Sequence, residues 1–252
     1  IDKERVSFEE GKNNKSFILG KYVTEADVII NLPKLKTHGM TMMTGAVKNL
    51  FGTIPGLLKA EYHLRMPELE LFSHMLAELA MCVKPVINIM DAIIGMDGEG
   101  PSAGKPKRFG YILASRSAFS LDVAAVHLMG ITPVSKVPTI KSADKLGLPS
   151  SLEDIELKGD ILNIKSDTMI PEIIEKSNLL DRHLPDFLVR FLEPLLKPRP
   201  IFHHDICTGC GVCKRSCPAS VIKMVNNRPI VDLEGCIRCF CCQELCEYQA
   251  VT

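Results

Sequence analysis

CTGCGVCKRSCP, residues 207–218, and CIRCFCCQELC, residues 236–246, are the two stretches that determine the fold of the C-terminal part of this chain. Each contains four cysteines in the pattern Cys-x2-Cys-x2-Cys-x3-Cys, and a shift of 29 positions superposes the first stretch on the second. The same shift places Pro200 on Pro229 and Ile201 on Ile230, so the tail consists of two copies of one unit. We therefore expect residues 201–252 to form one small domain.

The cysteine spacing indicates metal ligation. Nine of the ten cysteines lie between Cys207 and Cys246, behind an ordinary apolar domain and without a secretion signal, which argues against disulfides. A tight loop with a cysteine at every third position places three thiolates around one iron–sulfur cubane, and the fourth ligand must come from elsewhere. Zinc is the alternative for any Cys-x2-Cys pair, but a closed zinc tetrahedron fits a repeated three-plus-one pattern poorly.

The tail resembles the bacterial two-cluster ferredoxin domain over residues 201–252, and this resemblance implies a small α+β fold. The resemblance implies two 4Fe-4S clusters that exchange electrons with a redox partner protein, and a crossed ligand set in which each fourth cysteine serves the other cluster. The first cluster then takes Cys207, Cys210, Cys213 and Cys246, and the second takes Cys236, Cys239, Cys242 and Cys217.

Two positions depart from that family's pattern. Glu247 replaces the proline that usually follows the fourth cysteine, and its charge should lower the potential of the first cluster. Cys241 is an additional thiol, either a spare one or a ligand that competes with Cys242. The regular spacing favours Cys242.

The first part of the chain, residues 1–183, predicts an α/β fold with a parallel or mixed sheet and flanking helices. Short apolar runs predict buried parallel strands at 27–32, 85–90 and 110–114. Helical spacing of apolar residues predicts helices at 67–83 and 120–129, the second ended by Gly130.

A linker is predicted between the two domains at residues 184–200. Leucines and Phe191 at helical spacing predict an amphipathic helix over 184–197, which the segment Lys-Pro-Arg-Pro then ends. A helix flanked by basic residues can lie on a membrane surface, but its narrow apolar stripe favours packing onto the α/β domain.

A group of cationic residues follows the first predicted strand. The segment KLKTH, read as a loop, carries Lys34, Lys36 and His38, and a short helix with Lys48 and Asn49 comes next. Ligands of open α/β sheets bind at the carboxyl ends of strands, and a helix N-terminus adds affinity for anions. We expect an anionic small molecule to bind here, with ordinary solvated lysines as the alternative.

A second loop, rich in carboxylates and glycine, follows the second predicted strand. It contains Asp91 and then the sequence DGEGP at 97–101. Such a loop can surround a hard cation or position a general base, so Asp97, Glu99 and His38 are the candidate catalytic residues. The alternative for this loop is an ordinary polar turn. A further carboxylate, Asp122, lies in the first turn of the predicted helix 120–129 and is expected to interact with the dipole of that helix.

Three motifs, KLKTH, GAVKNLFG and DAIIGMDGEGPSAGKPK, precede a helix that contains Asp122 and ends in Met-Gly. Together they resemble the family catalogued as domain of unknown function 362, over about residues 27–131. The resemblance implies that the Lys/His and Asp/Gly segments form one site, and that a two-cluster ferredoxin tail is common, but it implies no reaction. Arg116-Ser117 stands where that family usually has Asp-Pro.

The composition of the chain limits the kinds of partner and the cellular compartment that we expect. The chain has 30 basic and 30 acidic residues, so no net charge attracts nucleic acid or an anionic membrane. Neither an apolar run of about 18 residues nor a signal peptide is seen, and we expect a cytoplasmic protein. Because the chain begins with Ile1 rather than Met, we expect a processed form or the last part of a longer polypeptide.

The sequence therefore predicts an iron–sulfur electron-transfer protein. One hypothesis is an oxidoreductase whose clusters pass electrons to or from an anionic small molecule held by the lysine segment. The alternative is a non-enzymatic electron carrier or an assembly partner that docks to a larger redox complex. No Gly-x-Gly-x-x-Gly follows a predicted strand, so neither flavin nor nicotinamide is implied.

Overall fold

The structure is a computed structural model that describes residues 2–56, 58–66, 68–101, 104–159, 168–169 and 199–252. The chain divides into two compact units, residues 1–171 and residues 172–252. The linker helix predicted at 184–197 lies outside the described residues, so the linker and the domain boundary at residue 183 stay predictions.

Unit 1 begins with a hairpin and continues into a mixed α/β layer. Its strands are β1 (Lys3–Ser7), β2 (Ser16–Gly20), β3 (Ile30–Asn31), β4 (Lys34–His38), β5 (Met42–Thr44), β6 (Ile87–Asp97) and β7 (Lys105–Ser115). Its α-helices are α1 (Lys21–Thr24), α2 (Ala46–Asn49), α3 (Leu58–Arg65), α4 (Leu69–Val83), α5 (Ala118–Met129) and α6 (Pro138–Lys145). Short 3-10 helices cover Leu50–Thr53 and Val134–Lys136.

Strand β6 is the centre of the main sheet. Strands β3 and β4 follow each other along one edge of β6 and run parallel to it, with Asn31 opposite Asn88 and Lys34 opposite Asp91. Strand β7 pairs antiparallel with the other edge, and β5 pairs antiparallel with β4. The predicted α/β class with a parallel or mixed sheet and flanking helices is thus confirmed as a mixed sheet.

Two predictions about the strands were wrong. The third predicted strand is antiparallel to the second, because only residues 98–104 join β6 to β7, whereas a parallel crossover needs about a dozen residues. The KLKTH segment is strand β4 and not a loop. Its two apolar-facing positions, Leu35 and Thr37, are buried and alternate with Lys34 and Lys36, which is the period of a strand.

The two long helices were predicted correctly to within two residues, because their ends carry local signals. Ser117 caps α5 by accepting a hydrogen bond from the Ser120 amide at 3.2 Å, and Gly130 ends it in the left-handed conformation. Lys84 ends α4 in the same conformation just before Pro85. Ser117 therefore has a structural role at the start of α5.

Helices cover one face of the sheet and leave the other face exposed. Helix α5 packs against β6 and β7, and Leu35, Met90 and Ala92 are fully buried on that side. On the opposite face, Ile30 is 54% exposed and Ile112 is 63% exposed. The strands were predicted to be buried on both faces, and the structure shows that only one face is covered within the described residues.

Unit 2 reproduces the internal repeat. It contains α7 (Val212–Arg215), β8 (Ile222–Val225), β9 (Arg228–Val231) and α8 (Cys241–Glu244), and α7 and α8 are separated by the same 29 positions. Ile222 pairs with Val231, and Phe202 forms an isolated bridge with Val251 that the repeat shift relates to that pair. The small α+β domain predicted for the tail is confirmed. In the described parts of the chain, no helix is long and apolar enough to cross a bilayer.

A buried carboxylate holds the first hairpin against α4. Glu78 accepts hydrogen bonds from the amides of Lys12 at 2.5 Å, Asn13 at 2.9 Å and Asn14 at 2.9 Å, and another from the Asn14 side chain. Burial raises the pKa of the Glu78 carboxyl, but these hydrogen bonds outweigh burial and leave its pKa below the ordinary value. The carboxylate therefore connects the loop between β1 and β2 to the core.

We predict that Glu78→Gln lowers the free energy of unfolding at pH 7 by about 2–3 kcal/mol, because the amide loses charge-assisted hydrogen bonds. The folded pKa of Glu78 is depressed, so its stabilisation is present above its unfolded pKa of about 4.3 and is lost as the pH falls towards its folded value. Urea unfolding followed by far-UV circular dichroism at pH 7 and at acidic pH measures both effects.

Glu70→Gln is the matched control on the same helix. Glu70 is exposed and pairs with Lys145, and exposed ion pairs contribute little to stability. Equal losses in the two variants would contradict the anchoring role of Glu78.

Candidate cluster cavities and anion site

Four cysteines from both copies of the repeat line one cavity in unit 2. This first cysteine cavity has a volume of about 370 Å³ and is lined by Cys207, Cys210, Cys213 and Cys246. Three of its thiols come from the first copy and the fourth comes from the end of the second copy.

The second cysteine cavity has the reciprocal composition. It has a volume of about 340 Å³ and is lined by Cys236, Cys239, Cys242 and Cys217. The structure thus brings together the same two sets of four thiols that the crossed pattern predicts. Their role as ligands remains a prediction, but a set of four soft thiolates suits iron–sulfur chemistry.

The loops around the cavities take the conformation that the cysteine spacing requires. Gly209 and Gly211 have left-handed backbones in the first copy, and Arg238 and Phe240 have left-handed backbones at the matching positions of the second. The Gly209 amide donates to Cys207 Sγ at 3.4 Å, and the Ala250 amide donates to Cys246 Sγ at 3.3 Å. Such N–H donors to cluster ligands are one means by which proteins set a cluster's potential.

Burial disfavours the thiolate forms in the absence of a cation. Desolvation raises the pKa of Cys213 and Cys236, and it raises the pKa of Cys242 to about 12. Thiolate ligands must be deprotonated, so cluster binding and proton release are coupled in this tail.

Cys241 and Cys242 have different surroundings. Cys242 lines the second cysteine cavity, as the regular spacing predicts. A hydrogen bond from Cys241 lowers the pKa of Cys239 to about 7, and the same hydrogen bond raises the pKa of Cys241. Cys241 is buried and contacts a predicted ligand, so the structure gives the additional thiol a position beside the cavity.

In unit 1, Lys36 and His38 lie on the same face of β4, because residues two apart in a strand point the same way. His38 is buried, and its Nδ1 accepts hydrogen bonds from the amides of Met40 at 3.0 Å and Thr41 at 3.3 Å. The ring proton of the neutral imidazole therefore lies on Nε2, which acts as a donor. A cation and a donor thus share one strand face.

The Lys/His strand and the Asp/Gly loop are in direct contact. The Gly39 amide donates to Gly100 O at 3.0 Å. A Cβ atom on Gly100 would lie 2.0 Å from Thr37 O and 2.7 Å from Thr37 Oγ1, so only glycine allows this approach. Thr37 Oγ1 is buried, and no hydrogen-bond partner for it lies within the described residues.

Other predicted site residues are paired elsewhere. Lys34 Nζ lies 2.6 Å from Asp91 Oδ2 in an exposed ion pair at the start of β4. This position is four residues, or roughly 13 Å, from His38 along the strand. Lys34 lies two residues before Lys36, but its ammonium group is paired with Asp91.

Asp97 is the last residue of β6 rather than part of the loop. Its carboxylate accepts a hydrogen bond from the Gly98 amide at 2.9 Å and lies 3.6 Å from Lys107 Nζ. Glu99 is exposed in the loop. Among the described residues, no group of three His, Cys, Asp or Glu side chains is arranged to hold a single metal ion.

The N-terminus of α2 is occupied by a side chain of the protein itself. Asp122 is buried and accepts hydrogen bonds from the amides of Ala46 at 2.5 Å and Val47 at 3.0 Å. Burial raises the pKa of Asp122 to about 7, against the effect of these two hydrogen bonds. The expectation that Asp122 interacts with the dipole of its own helix was therefore wrong. The N-terminus of α2, which was expected to add affinity for an anion, instead donates the amides of Ala46 and Val47 to Asp122.

A hydrogen-bonded chain of asparagines, of which Asn31 and Asn88 are buried, was missed in the sequence. Asn31 donates to Asn88 Oδ1 at 2.8 Å and to Ala46 O at 3.0 Å, and Asn49 donates to Asn31 Oδ1 at 2.8 Å. Asn88 reaches the carbonyl oxygens of Ser115 and Arg116. The available signal was the dipeptide Ile-Asn, repeated inside the two apolar runs that pair in register. Asn49, predicted as an anion ligand, thus has a structural partner.

Comparisons with known proteins match both parts of the chain. A family model described as domain of unknown function (DUF362) matches residues 2–127, and a model described as 4Fe-4S dicluster domain matches residues 199–247. Thylakoid-associated protein sll1697 of Synechocystis sp. (strain ATCC 27184 / PCC 6803 / Kazusa) is 39% identical over 137 residues. The alignment covers 54% of this chain and only 42% of that relative.

We predict that Gly100→Ala lowers the free energy of unfolding by about 1–3 kcal/mol, because the new methyl group would push the loop away from Thr37. Gly52→Ala is the control, since a Cβ atom there meets nothing within 4 Å. Urea unfolding of both variants checks the contact, and equal stability of the two would disprove the close packing of loop and strand.

Proposed function

The chain belongs to the DUF362 family and carries a 4Fe-4S dicluster domain, and we propose that its clusters exchange electrons with an anionic small molecule bound in unit 1, which would make it an iron–sulfur oxidoreductase. Both resemblances predicted from the sequence are confirmed, and the dicluster domain indicates 4Fe-4S cluster binding and a role in electron transfer. The cluster number, the anion site, the redox partner and the reaction are our proposal.

Two clusters are supported by the two cysteine cavities. Each cavity is lined by four thiols in a three-plus-one arrangement, and the two cavities have similar volumes. When bound, the clusters supply one-electron transfer. The chain's own residues would surround each cluster with apolar side chains and direct amides at cysteine sulfurs, and the crossed fourth cysteines would join the two copies.

The anion site is supported by Lys36 and His38 on one face of β4. Lys36 is half-buried, and a partly buried cation interacts more strongly with an anion than an exposed one does. His38 Nε2 is a donor, because Nδ1 accepts two amides. We propose that these two residues bind a carboxylate or phosphate group, while Asp97 at the end of β6 and Glu99 in the adjacent loop face the reacting part of the ligand. Lys48 is assigned to the same site from the sequence motif.

The second candidate is a docking partner of a larger redox complex, and the uncovered sheet face favours it. Ile30, Ile112 and Leu32 are all more than half exposed, and an exposed apolar patch often marks a protein interface. In this case Asp97 and Lys107, like Lys34 and Asp91, are structural ion pairs, and electrons pass only between clusters and protein partners.

We also propose a reducing, cytoplasmic setting, since dense thiols at metal-ligand spacing require one. The name of the Synechocystis relative associates that protein with thylakoids. Sedimentation of this chain with anionic lipid vesicles measures whether it also associates with a membrane surface.

Anaerobically prepared protein should contain about eight iron and about eight sulfide per chain, because two complete ligand sets are present. Cys210→Ser and Cys239→Ser should each remove one cluster and leave about four iron. Iron and sulfide analysis with electron paramagnetic resonance of the reduced protein provides the measurement.

Cys241→Ser and Cys82→Ser are the controls, and both should keep the full iron content, since neither cysteine lines a cavity described above. Stoichiometric zinc without sulfide, or four iron in the wild type, would refute the two-cluster proposal.

Lys36→Ala should weaken binding of a small carboxylate or phosphate ligand about tenfold, because one charge-assisted hydrogen bond is lost. Calorimetric titration with a panel of carboxylates, phosphates and divalent cations measures the change. The affinity should fall as salt rises, and the iron content should stay unchanged.

Lys21→Ala serves as the control, since Lys21 forms an exposed ion pair with Glu25 on the first helix. If wild type, Lys36→Ala and Lys21→Ala bind every ligand alike, the anion site does not exist and the docking function becomes the better candidate.

A further inference from the structure

The two cysteine loops are related by the repeat, but they differ in how well they cover their cavities. Gly209 and Gly211 in the first loop correspond to Arg238 and Phe240 in the second. All four have left-handed backbones, which cost little for glycine and more for arginine or phenylalanine. The second copy thus keeps large side chains at strained positions where the first copy has none.

The exposure of the matching cysteines follows this difference. Cys210 is exposed, whereas its counterpart Cys239 is half-buried and Cys242 is buried. A cluster in the first cysteine cavity would therefore come closest to solvent at the Cys210 thiolate. Electron transfer requires close approach, so this edge is the favoured contact point for a partner.

The charges around the two loops also differ. Lys214 and Arg215 at the end of α7 correspond to Gln243 and Glu244 at the end of α8. Arg215 Nη1 donates to Cys210 O at 3.1 Å, which fixes this guanidinium beside the exposed cysteine. Glu244, in contrast, acts on Cys239 and Cys241 with a negative charge.

A second arginine lies behind the same loop. Arg228 donates to Cys207 O, so two guanidinium groups contact the carbonyl oxygens of the first loop. Two acidic residues, Asp205 and Glu247, lie next to this loop or its fourth cysteine in the sequence. Three cationic residues lie on the helix that follows the loop or contact the loop's backbone: Lys214, Arg215 and Arg228. We call Cys210, Lys214 and Arg215 the cationic rim.

We propose that the cationic rim is the electron-exchange surface of the tail, and that the redox partner which docks there presents a cluster of carboxylates. This inference rests on the proposed two-cluster function and adds the place and charge of the contact. Opposite charges at such a surface raise the rate of encounter, and salt reduces the effect. The second cysteine cavity would then hold the internal cluster, which would exchange electrons with the partner through the cluster in the first cavity.

The test uses two one-electron oxidants of opposite charge on the reduced, cluster-loaded chain. Tris(oxalato)cobaltate(III) carries three negative charges and carboxylate oxygens, as an acidic protein surface does, and hexaamminecobalt(III) carries three positive charges. In each reaction one electron leaves a reduced cluster and converts Co(III) to Co(II). Stopped-flow absorbance under anaerobic conditions gives the rates.

Arg215→Glu should slow oxidation by tris(oxalato)cobaltate(III) about fivefold or more at low ionic strength and accelerate oxidation by hexaamminecobalt(III). Both effects should shrink as salt is added. Arg215→Lys should restore most of the wild-type rate. Lys223→Glu, an equal charge reversal at an exposed position on β8, should change either rate less than twofold.

Several results would overturn the proposal. If Arg215→Glu and Lys223→Glu have the same effect, only net charge matters. If the rates respond to Glu244→Gln more than to Arg215→Glu, electrons leave through the second cavity. If the Arg215→Glu protein fails to assemble clusters, Lys214→Glu replaces it as the test, because this exposed side chain also belongs to the cationic rim. The same changes in the two oxidation rates are then expected.

The failure of this inference can be told from the failure of the proposed function. Wild-type protein without iron and sulfide overturns both. Wild-type protein with its full iron content, whose variants show no dependence on the charge of the oxidant, overturns only the cationic rim.

Discussion

The pairing of β6 with three other strands is the constraint on which the whole of unit 1 depends. Its residues 87–96 pair with β3 and β4 along one edge, while β7 occupies the other. The register sets Asn31 against Asn88 and Lys34 against Asp91. A slip of one residue would turn every β6 side chain to the other face, so the asparagine chain, the ion pair and the contact of Gly100 with Thr37 depend on this register together.

Unit 2 depends on a different constraint, the sharing of cysteines between two copies of one short sequence. The backbone conformations of the two copies agree closely, including matched left-handed residues at Ser220 and Gln249. The side chains do not agree, since the first loop has Gly209, Gly211, Lys214 and Arg215 where the second has Arg238, Phe240, Gln243 and Glu244. If two clusters bind as proposed, similar backbone frames would therefore hold them in unequal surroundings.

The features that were predicted correctly from the sequence are those that depend on residues close together in the chain. The cysteine spacing repeats within a few dozen residues, and the ends of α4 and α5 carry capping residues, so both were found. The direction of β7 depends on the length of the loop before it, and that length was not used when the apolar runs were taken as parallel strands. The strand character of KLKTH follows from the alternation of Leu35 and Thr37, but the segment was interpreted as a ligand-binding loop because of its lysines and histidine. The partner of Asp122 could not be predicted, because Ala46 lies 76 residues away and hydrogen bonds between distant segments leave no local pattern.

The sheet order also has a consequence for biosynthesis. Lys34 and its partner Asp91 are separated by 57 residues, so β4 leaves the ribosome well before the strand that it must pair with. At roughly 5–20 residues per second, translation of that interval takes about 3–11 s. During this time β4 has only β5 to pair with, and the rest of the sheet around Leu35, which is fully buried in the finished protein, has not yet formed. A nascent chain of this protein therefore presents the apolar side of β4 for several seconds, the interval in which a ribosome-associated chaperone would have to shield it.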